Sequence, residues 1–520
     1  MKIKPAVNVR ALCVGTLWFA MFAGQVALAQ DATVEMAAAG ADVSAPKPSI
    51  SVVPRVSLTE TWTSNALLTT VPQADQITEL SPGLRVDVNK ARLKGFFDYA
   101  VTGDSYAQNS SPFRSTNALS SNFTLEAIDN FFFIDTNGSI SQQAISAFGT
   151  QSVDAASVNP NSTQVASYSI APRLQGRLGG FADYVARYSR SISNSSAATV
   201  ATNTSSIGLK DGNNASTPMG WSVDANHQDV SYGDGRPTED DTLMLGWHYA
   251  ISPQLNVFVE GGEEASNYSS TDMQTNALTG FGLTWSPQEA TKLSLNGRHH
   301  VYGDTFALNF DHRTGLTAWH YSNTRDVTQT PDQQGTASLG TAYDLYFAQF
   351  ASLQPDPVAR AQLVNAYLQT YGIPPGAAVT TGFSASSLSM QHQQQLSFAL
   401  LGVRDTVTFM ATQTDSNLFD GLTTAVDNFS TSSSISQRGL TMNLAHRLTP
   451  EYSLSAMVSE LVSTGSVDSL SNTLRSLNLN LSGKLGSKTT VSLGLRRVVS
   501  DSALVPYSES ALTCALSLQL

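Results

Sequence analysis

Charge is scarce in this chain, with charged residues at 13% against 41% hydrophobic. That is about half the charged share of an ordinary soluble domain, and Ser, Thr, Asn and Gly fill the gap. Cysteine is scarce too, limited to Cys13 and Cys514. Cys13 lies in an N-terminal leader and lacks the small preceding residues of a lipoprotein cleavage site. Only Cys514 would remain in a mature chain, so no intrachain disulfide framework or cysteine zinc cluster can form, and Cys514 reads as an ordinary lipid-facing residue. Long apolar runs are missing beyond the leader: none approaches the ~20 residues of a spanning helix, so any membrane crossing must be made by strands.

The leader has a definite layout. Lys2, Lys4 and Arg10 precede an apolar stretch, residues 11–24, that ends near Ala27-Leu28-Ala29. This predicts a signal peptide over residues 1–29, cleaved before Gln30. Removing its three basic residues leaves 26 basic against 41 acidic, a net charge of −15. Such an acidic balance argues against nucleic acid as a partner. Residues 30–49, rich in Ala, Asp and Ser, read as a disordered periplasmic tail.

From residue 50 to 520 the dominant pattern has a period of two. Leu80, Pro82, Leu84, Val86 and Val88 alternate with Ser81, Gly83, Arg85, Asp87 and Asn89. After a turn at Lys90-Ala91, Leu93, Gly95, Phe97, Tyr99 and Val101 continue the apolar phase, while Arg92, Lys94 and Asp98 take the polar one. The same grammar returns at Leu477, Leu479 and Leu481 against Asn478, Asn480 and Ser482. A wall with lipid outside and water inside requires this alternation in segments of about ten residues.

Turn lengths agree. Short turns are expected at Lys90-Ala91, Asp129-Asn130, Gly179-Gly180, Ser252-Pro253, Ser286-Pro287, Gly402-Val403, Thr449-Pro450 and Gly486-Ser487. Polar stretches 105–115, 148–164 and 232–240 occupy alternate connections and read as outer loops. The prediction is an all-β, transmembrane, antiparallel up-and-down β-barrel of about 22 strands, within a range of about 18 to 22, with both ends periplasmic. The last strand carries Leu512, Cys514, Leu516, Leu518 and Leu520. It resembles the C-terminal signal read by the barrel-assembly machinery, although it ends in Leu where Phe or Trp is usual.

Charges of both signs fall on the polar phase: Arg85, Asp87, Arg92, Lys94, Asp98, Asp135, Arg173, Arg177, Asp183 and Arg187. As lumen-lining groups they would brace neighbouring strands or line a pore for hydrated solutes. Trp62, Phe97, Tyr99, Tyr184, Tyr188, Trp247, Tyr249 and Trp285 fit interfacial girdles.

Over residues 328–388 the alternation stops and helix chemistry replaces it. Tyr343, Tyr346, Phe347 and Phe350 recur at helical spacing. A second helix has Asp356 as N-cap and Pro357 in its first turn, carries Leu363, Val364, Tyr367, Leu368 and Tyr371, and stops at Gly372 before Pro374-Pro375. Strand parity puts this insertion on the extracellular side, as a rim loop, a cap, or a plug folded into the lumen. Tyr343, Phe347, Phe350, Leu363, Tyr367 and Tyr371 are its candidate gate residues.

No signature of catalysis accompanies this pattern. Gly-x-Ser-x-Gly, His-Glu-x-x-His and phosphate-binding glycine loops are all missing. His299 and His300 are strand neighbours that point to opposite faces and cannot jointly hold one metal. The expectation is a non-enzyme with no cofactor, no metal and no catalytic residues.

Several segments, in order, resemble the PEP-CTERM system-associated outer-membrane barrel family. They are Pro54-Arg55-Val56-Ser57-Leu58-Thr59-Glu60-Thr61, then Ile77-Thr78-Glu79-Leu80-Ser81-Pro82-Gly83-Leu84, then Ile140-Ser141-Gln142-Gln143. Asp311-His312-Arg313-Thr314 with Ala318-Trp319, Pro355-Asp356-Pro357-Val358-Ala359-Arg360 and Gln394-Gln395-Leu396-Ser397 follow. The resemblance implies a place in the outer membrane of a Gram-negative bacterium and a part in exporting or organising extracellular polysaccharide; it supplies no catalytic residues. The expected partners are outer-membrane lipid and lipopolysaccharide, the barrel-assembly machinery, and exopolysaccharide. A porin-like channel or accessory export component is the leading expectation, a non-transporting scaffold barrel the second, and an outer-membrane hydrolase the third. A TonB-dependent receptor is disfavoured, because the ~20 residues before the first strand leave no room for an N-terminal plug.

Overall fold

The computed structural model describes residues 49–196, 199–212, 218–233, 235–328, 387–419, 427–467 and 470–520. Within 329–386 it also describes positions 343, 346, 347, 350, 360, 361, 363–365, 367, 368 and 383. The leader and nearly all of the tail, 30–49, lie outside the described residues, as do Asp356, Pro357, Tyr371, Gly372 and Pro374-Pro375.

Twenty-two strands make one sheet. The first eight are β1 Ile50–Thr63, β2 Asp75–Asn89, β3 Leu93–Tyr106, β4 Arg114–Ile128, β5 Phe132–Ala144, β6 Ser162–Leu178, β7 Ala182–Asn194 and β8 Thr199–Asp211. Next come β9 Met219–Tyr232, β10 Thr238–Ser252, β11 Leu255–Ser266, β12 Gln274–Gln288, β13 Thr291–His300, β14 Gly303–Arg313 and β15 Thr317–Thr328. The last seven are β16 Ser389–Leu401, β17 Asp405–Leu418, β18 Ser434–Arg447, β19 Tyr452–Gly465, β20 Ser471–Lys484, β21 Thr489–Ser502 and β22 Tyr507–Gln519. Each pairs antiparallel with its neighbours in sequence, and β1 pairs with β22, so the sheet closes on itself and leaves no edge.

Register separates the two faces. Leu58 lies opposite Leu80 on β2 and Leu516 on β22, and Leu479 opposite Ala456 and Leu495. These side chains form an exposed apolar belt, as lipid contact demands. The other phase pairs Ser57 with Ser81 and Asn480 with Gly494. This phase is internal: Leu461, Leu474, Val498 and Tyr507, from four successive strands, converge on Leu68 and Val153 of two loops. Trp62, Phe97, Tyr99, Tyr184, Tyr188, Trp247, Tyr249 and Trp285 share the phase of the apolar belt.

Tight turns fall between β2 and β3, β4 and β5, and β6 and β7. Asn130 and Gly179 take left-handed φ values of 51° and 58° there, a conformation that costs Gly nothing and Asn little. One expected turn is displaced. Ser286-Pro287 belongs to β12, where the register with β13 slips between Trp285 and Gln288, and the chain reverses at residues 289–290. Proline cannot donate to the ladder, and a bulge at a strand end accommodates it without a reversal.

The polar connection between β5 and β6, residues 145–161, also departs from expectation. It packs inside the barrel instead of standing as an outer loop. The Phe148 ring meets Phe383, Phe429 and Ile435, while Ala156 and Val158 meet Ala66, Ile77 and Tyr106. Val158 N–H donates to the Ala66 carbonyl at 2.9 Å.

Candidate lumenal site

Three groups share the lumen: a charged lane on the early strands, the inward loop 145–161, and the described residues of the insertion between β15 and β16. The lane follows from strand register. Arg85 on β2 lies opposite Val53 on β1 and Asp98 on β3, so charges two residues apart on one strand meet charges on the next. The Arg85 guanidinium grips Asp87 through two bonds, of 2.8 and 2.9 Å, and reaches Asp98 at 3.3 Å. Arg55 closes the group on Asp98 at 2.5 Å, and Phe96 lies under Arg85, 5.1 Å from ring centroid to guanidinium carbon.

A second group sits further round the wall. Asp135 on β5 lies 3.6 Å from Arg173 and 3.7 Å from Arg187, and accepts from the Thr124 hydroxyl at 2.9 Å. Arg177 and Asp183 make a separate exposed pair at 2.8 Å. Lys94 faces the same interior and makes no ion pair among the described residues. Arg92 stands apart, in the turn that precedes β3. Arg55 is the member absent from the expected lumen-lining set; its alternation with Pro54, Val56 and Leu58 was the available signal. Partly exposed pairs of this kind contribute only about 0–1 kcal/mol each, so their main effect is on the field inside the lumen.

That field can be tested. Arg85→Gln converts a group of two guanidiniums and two carboxylates into one with a net negative charge. The expected result is a reversal potential in a salt gradient shifted toward cation selectivity, measured in planar bilayers on a conducting form of the barrel. An unchanged potential would mean that this group does not face the ion path.

Loop 145–161 is held across the interior by bonds to strands far from its origin. The Asn472 amide donates to the Gly149 carbonyl at 2.9 Å, and the Tyr507 hydroxyl donates to the Gln151 carbonyl. On the opposite flank the Tyr106 hydroxyl donates to Ala156 at 2.8 Å and Arg114 donates to Ser157 at 3.1 Å. At its centre, Arg496 on β21 bonds Asp154 at 2.5 Å and Glu509 on β22 at 2.8 Å, with all three side chains nearly buried. Burial pushes the Asp154 carboxyl up, but the Arg496 guanidinium and the Ala156 N–H outweigh it and hold the group below the usual carboxylate range. No sequence signal separates this loop from an exposed one, because Ser, Asn and Asp suit a polar lumen as well as open water.

The insertion also reaches the inner wall. Tyr343, Tyr346, Phe347, Leu363, Tyr367 and Leu368 are helical, and the Phe350 backbone N–H donates to the Tyr346 carbonyl at 2.9 Å. Tyr346, Phe350, Val364 and Leu368 pack on Met410 and Ala445, which belong to the inward phase of β17 and β18. Asn443 donates to the Tyr346 hydroxyl. Tyr367 lies 4.8 Å from Tyr346 and 5.2 Å from Phe350, between ring centroids, and Arg360 covers Phe347 at 4.8 Å. On the same stretch of wall the inward Ser397, Thr406, Thr408, Thr412 and Thr441 are buried. Tyr268, Tyr302 and Phe419 form a further aromatic group at the long-loop end, joining β11–β14 to the end of β17.

A closed 22-stranded ring with an apolar belt outside and polar, charged groups inside is an outer-membrane-type β-barrel. No family model matches the sequence, and no curated protein matches it. Among solved structures the chain is similar to the FrpB iron transporter of Neisseria meningitidis, at 10% identity over 90% of this chain and 82% of that one, with a TM-score of 0.47. It is also similar to the siderophore receptor PirA of Pseudomonas aeruginosa, at 9% identity, 90% and 80% coverage, and a TM-score of 0.42. The PirA receptor of Acinetobacter baumannii gives 9%, the same coverage and 0.45. At these identities the likeness concerns the fold alone.

Proposed function

We propose that this chain works in the Gram-negative outer membrane as a constricted conduit for hydrated polar solutes, serving the export or surface assembly of extracellular polysaccharide. The observation that carries the conduit is loop 145–161: a polar segment drawn into the lumen and fixed there by Arg496, in a barrel whose inner wall also carries a lane of opposed charges. Apolar sealing would suffice for a solid plug; a segment that is also tied to the wall by hydrogen bonds from Asn472, Tyr507, Tyr106 and Arg496 suits a passage that hydrated molecules use. Polysaccharide as the cargo is supported by the resemblance of segments such as residues 54–61 and 77–84 to the PEP-CTERM system-associated barrels. No residue carries a catalytic role in this reading.

The second reading is a non-transporting scaffold. The packed groups at the long-loop end favour it, because Phe148, Phe383, Phe429 and Ile435 join loops from distant strands into one apolar cluster. Planar-bilayer recordings separate the two. The conduit predicts a small, steady conductance for the mature barrel, a larger one when residues 145–161 are shortened, and lower extracellular polysaccharide in cells without the chain. Silence in both forms, with polysaccharide secretion intact, would leave the scaffold standing.

A further inference from the structure

Outward-facing acids are unexpected on a wall that meets lipid, yet β9 and β10 carry three of them close together. Register places His227 opposite Asp241 and Asp229 opposite Glu239, all on the phase of Val223, Leu243 and Trp247. The group lies toward the long-loop ends of the two strands, just beyond the apolar residues. Glu263 on β11 lies opposite Leu243 on the same face.

We propose that His227, Glu239 and Asp241 form a divalent-metal site on the outer wall, selective for a zinc-like ion over calcium. His227 Nδ1 is 2.6 Å from Asp241 Oδ1 and 3.9 Å from Glu239 Oε1, and one ligand atom from each residue lies within 4.8 Å of the others. Tetrahedral ligands at zinc-like bond lengths stand about 3.3 Å apart, a value bracketed by the two observed separations. Small side-chain rotations at this partly exposed site suffice to reach it. Other His–Asp contacts face outward too, at His299–Asp304 and His446–Asp405. Among the described residues only His227 has a second carboxylate within ligand reach.

An imidazole with two carboxylates favours a borderline ion, since calcium asks for six to eight oxygen ligands. Three protein ligands leave a coordination position for water or an anionic oxygen, and an open groove of about 420 Å³ beside His227 and Asp241 gives it room. Ile207, Ala225 and Leu243 line it together with the polar Ser205, Glu263 and Thr275. A bound dication would offset two of the four carboxylate charges, from Asp229, Glu239, Asp241 and Glu263, on this stretch of wall.

The test is calorimetric titration of the refolded, detergent-solubilised mature barrel with zinc chloride and, separately, calcium chloride. One saturable zinc site is expected, weakened about tenfold or more by His227→Asn and by Asp241→Asn, with far weaker calcium binding. His299→Asn should leave the zinc affinity unchanged, and heat-modifiable electrophoretic mobility shows that each variant keeps its barrel. Zinc affinity equal in the parent and His227→Asn, or no saturable zinc uptake by the parent, overturns the site; calcium binding as tight as zinc overturns its selectivity.

Discussion

Replacing Arg496 by methionine should release loop 145–161 from the wall and raise single-channel conductance several-fold. The guanidinium is the shared partner of Asp154 and Glu509, and its loss leaves two nearly buried carboxylates facing each other. Glu79 on β2 and Asp104 on β3 add to the acidic surroundings, with Arg114 the remaining nearby cation. Removing one partner from a buried ionic group costs about 3–5 kcal/mol, the same order as the flanking hydrogen bonds of the loop supply together at about 1 kcal/mol each. The centre of the loop should therefore detach while Phe148 and Val158 remain its outer contacts. The response should be local, because the strand ladder does not depend on the loop. Limited proteolysis within residues 145–161 and bilayer recordings provide the readouts. A triple replacement, Arg496→Met with Asp154→Leu and Glu509→Leu, should dock the loop again, since an apolar substitute for a complete buried ionic group is close to neutral. If Arg496→Met conducts like the parent and resists protease equally, the loop is not held by this contact.

The same contact has a pH signature. Asp154 lies outside the spanning strands, and its carboxyl is held low when the loop is docked. A depressed carboxylate stabilises the docked form at every pH above its free value, about 4, and loses that contribution as pH falls through the docked value. Loop release in the parent should therefore begin only below about pH 4.

The second large effect is expected from Phe350→Ala. The ring sits among Tyr346, Val364, Leu368, Met410 and Ala445, and truncating such a residue costs about 3–5 kcal/mol. That exceeds what a small cluster on a polar wall retains, so the segment should leave the face of β17. Thr408, now 2% exposed, gives the readout. In a Cys514→Ser background, Thr408→Cys should resist a membrane-impermeant maleimide, and adding Phe350→Ala should make it react readily. Equal labelling of the two proteins would show that something other than this cluster covers the wall.

The ring of strands was legible because a lipid-facing wall imposes one rule on every crossing. Leu477, Leu479 and Leu481 announce their face without help from any other element, as do Leu80, Leu84 and Val86. Arg92 shows where that rule ends: its phase was polar, but it belongs to a turn. The inward course of residues 145–161 was hidden for a physical reason, since a lumen that welcomes Ser, Asn and Asp removes the contrast between inside and out. The grouping of His227 with Glu239 and Asp241 depends on cross-strand register, which becomes readable only once the hairpin of β9 and β10 is fixed. Helical spacing identified Tyr346, Phe350 and Leu368 as a packed face, yet it could not name Met410 and Ala445 as their counterpart.

The seam between β1 and β22 ties assembly to obstruction. The Thr63 hydroxyl on β1 donates to Glu509 on β22 at 2.7 Å, and Glu509 in turn holds Arg496. The carboxylate that helps set the obstruction arrives with the strand that completes the circle. A sheet in which β1 and β22 have not yet paired therefore lacks part of the fastening of loop 145–161, which is complete only once the ring is closed.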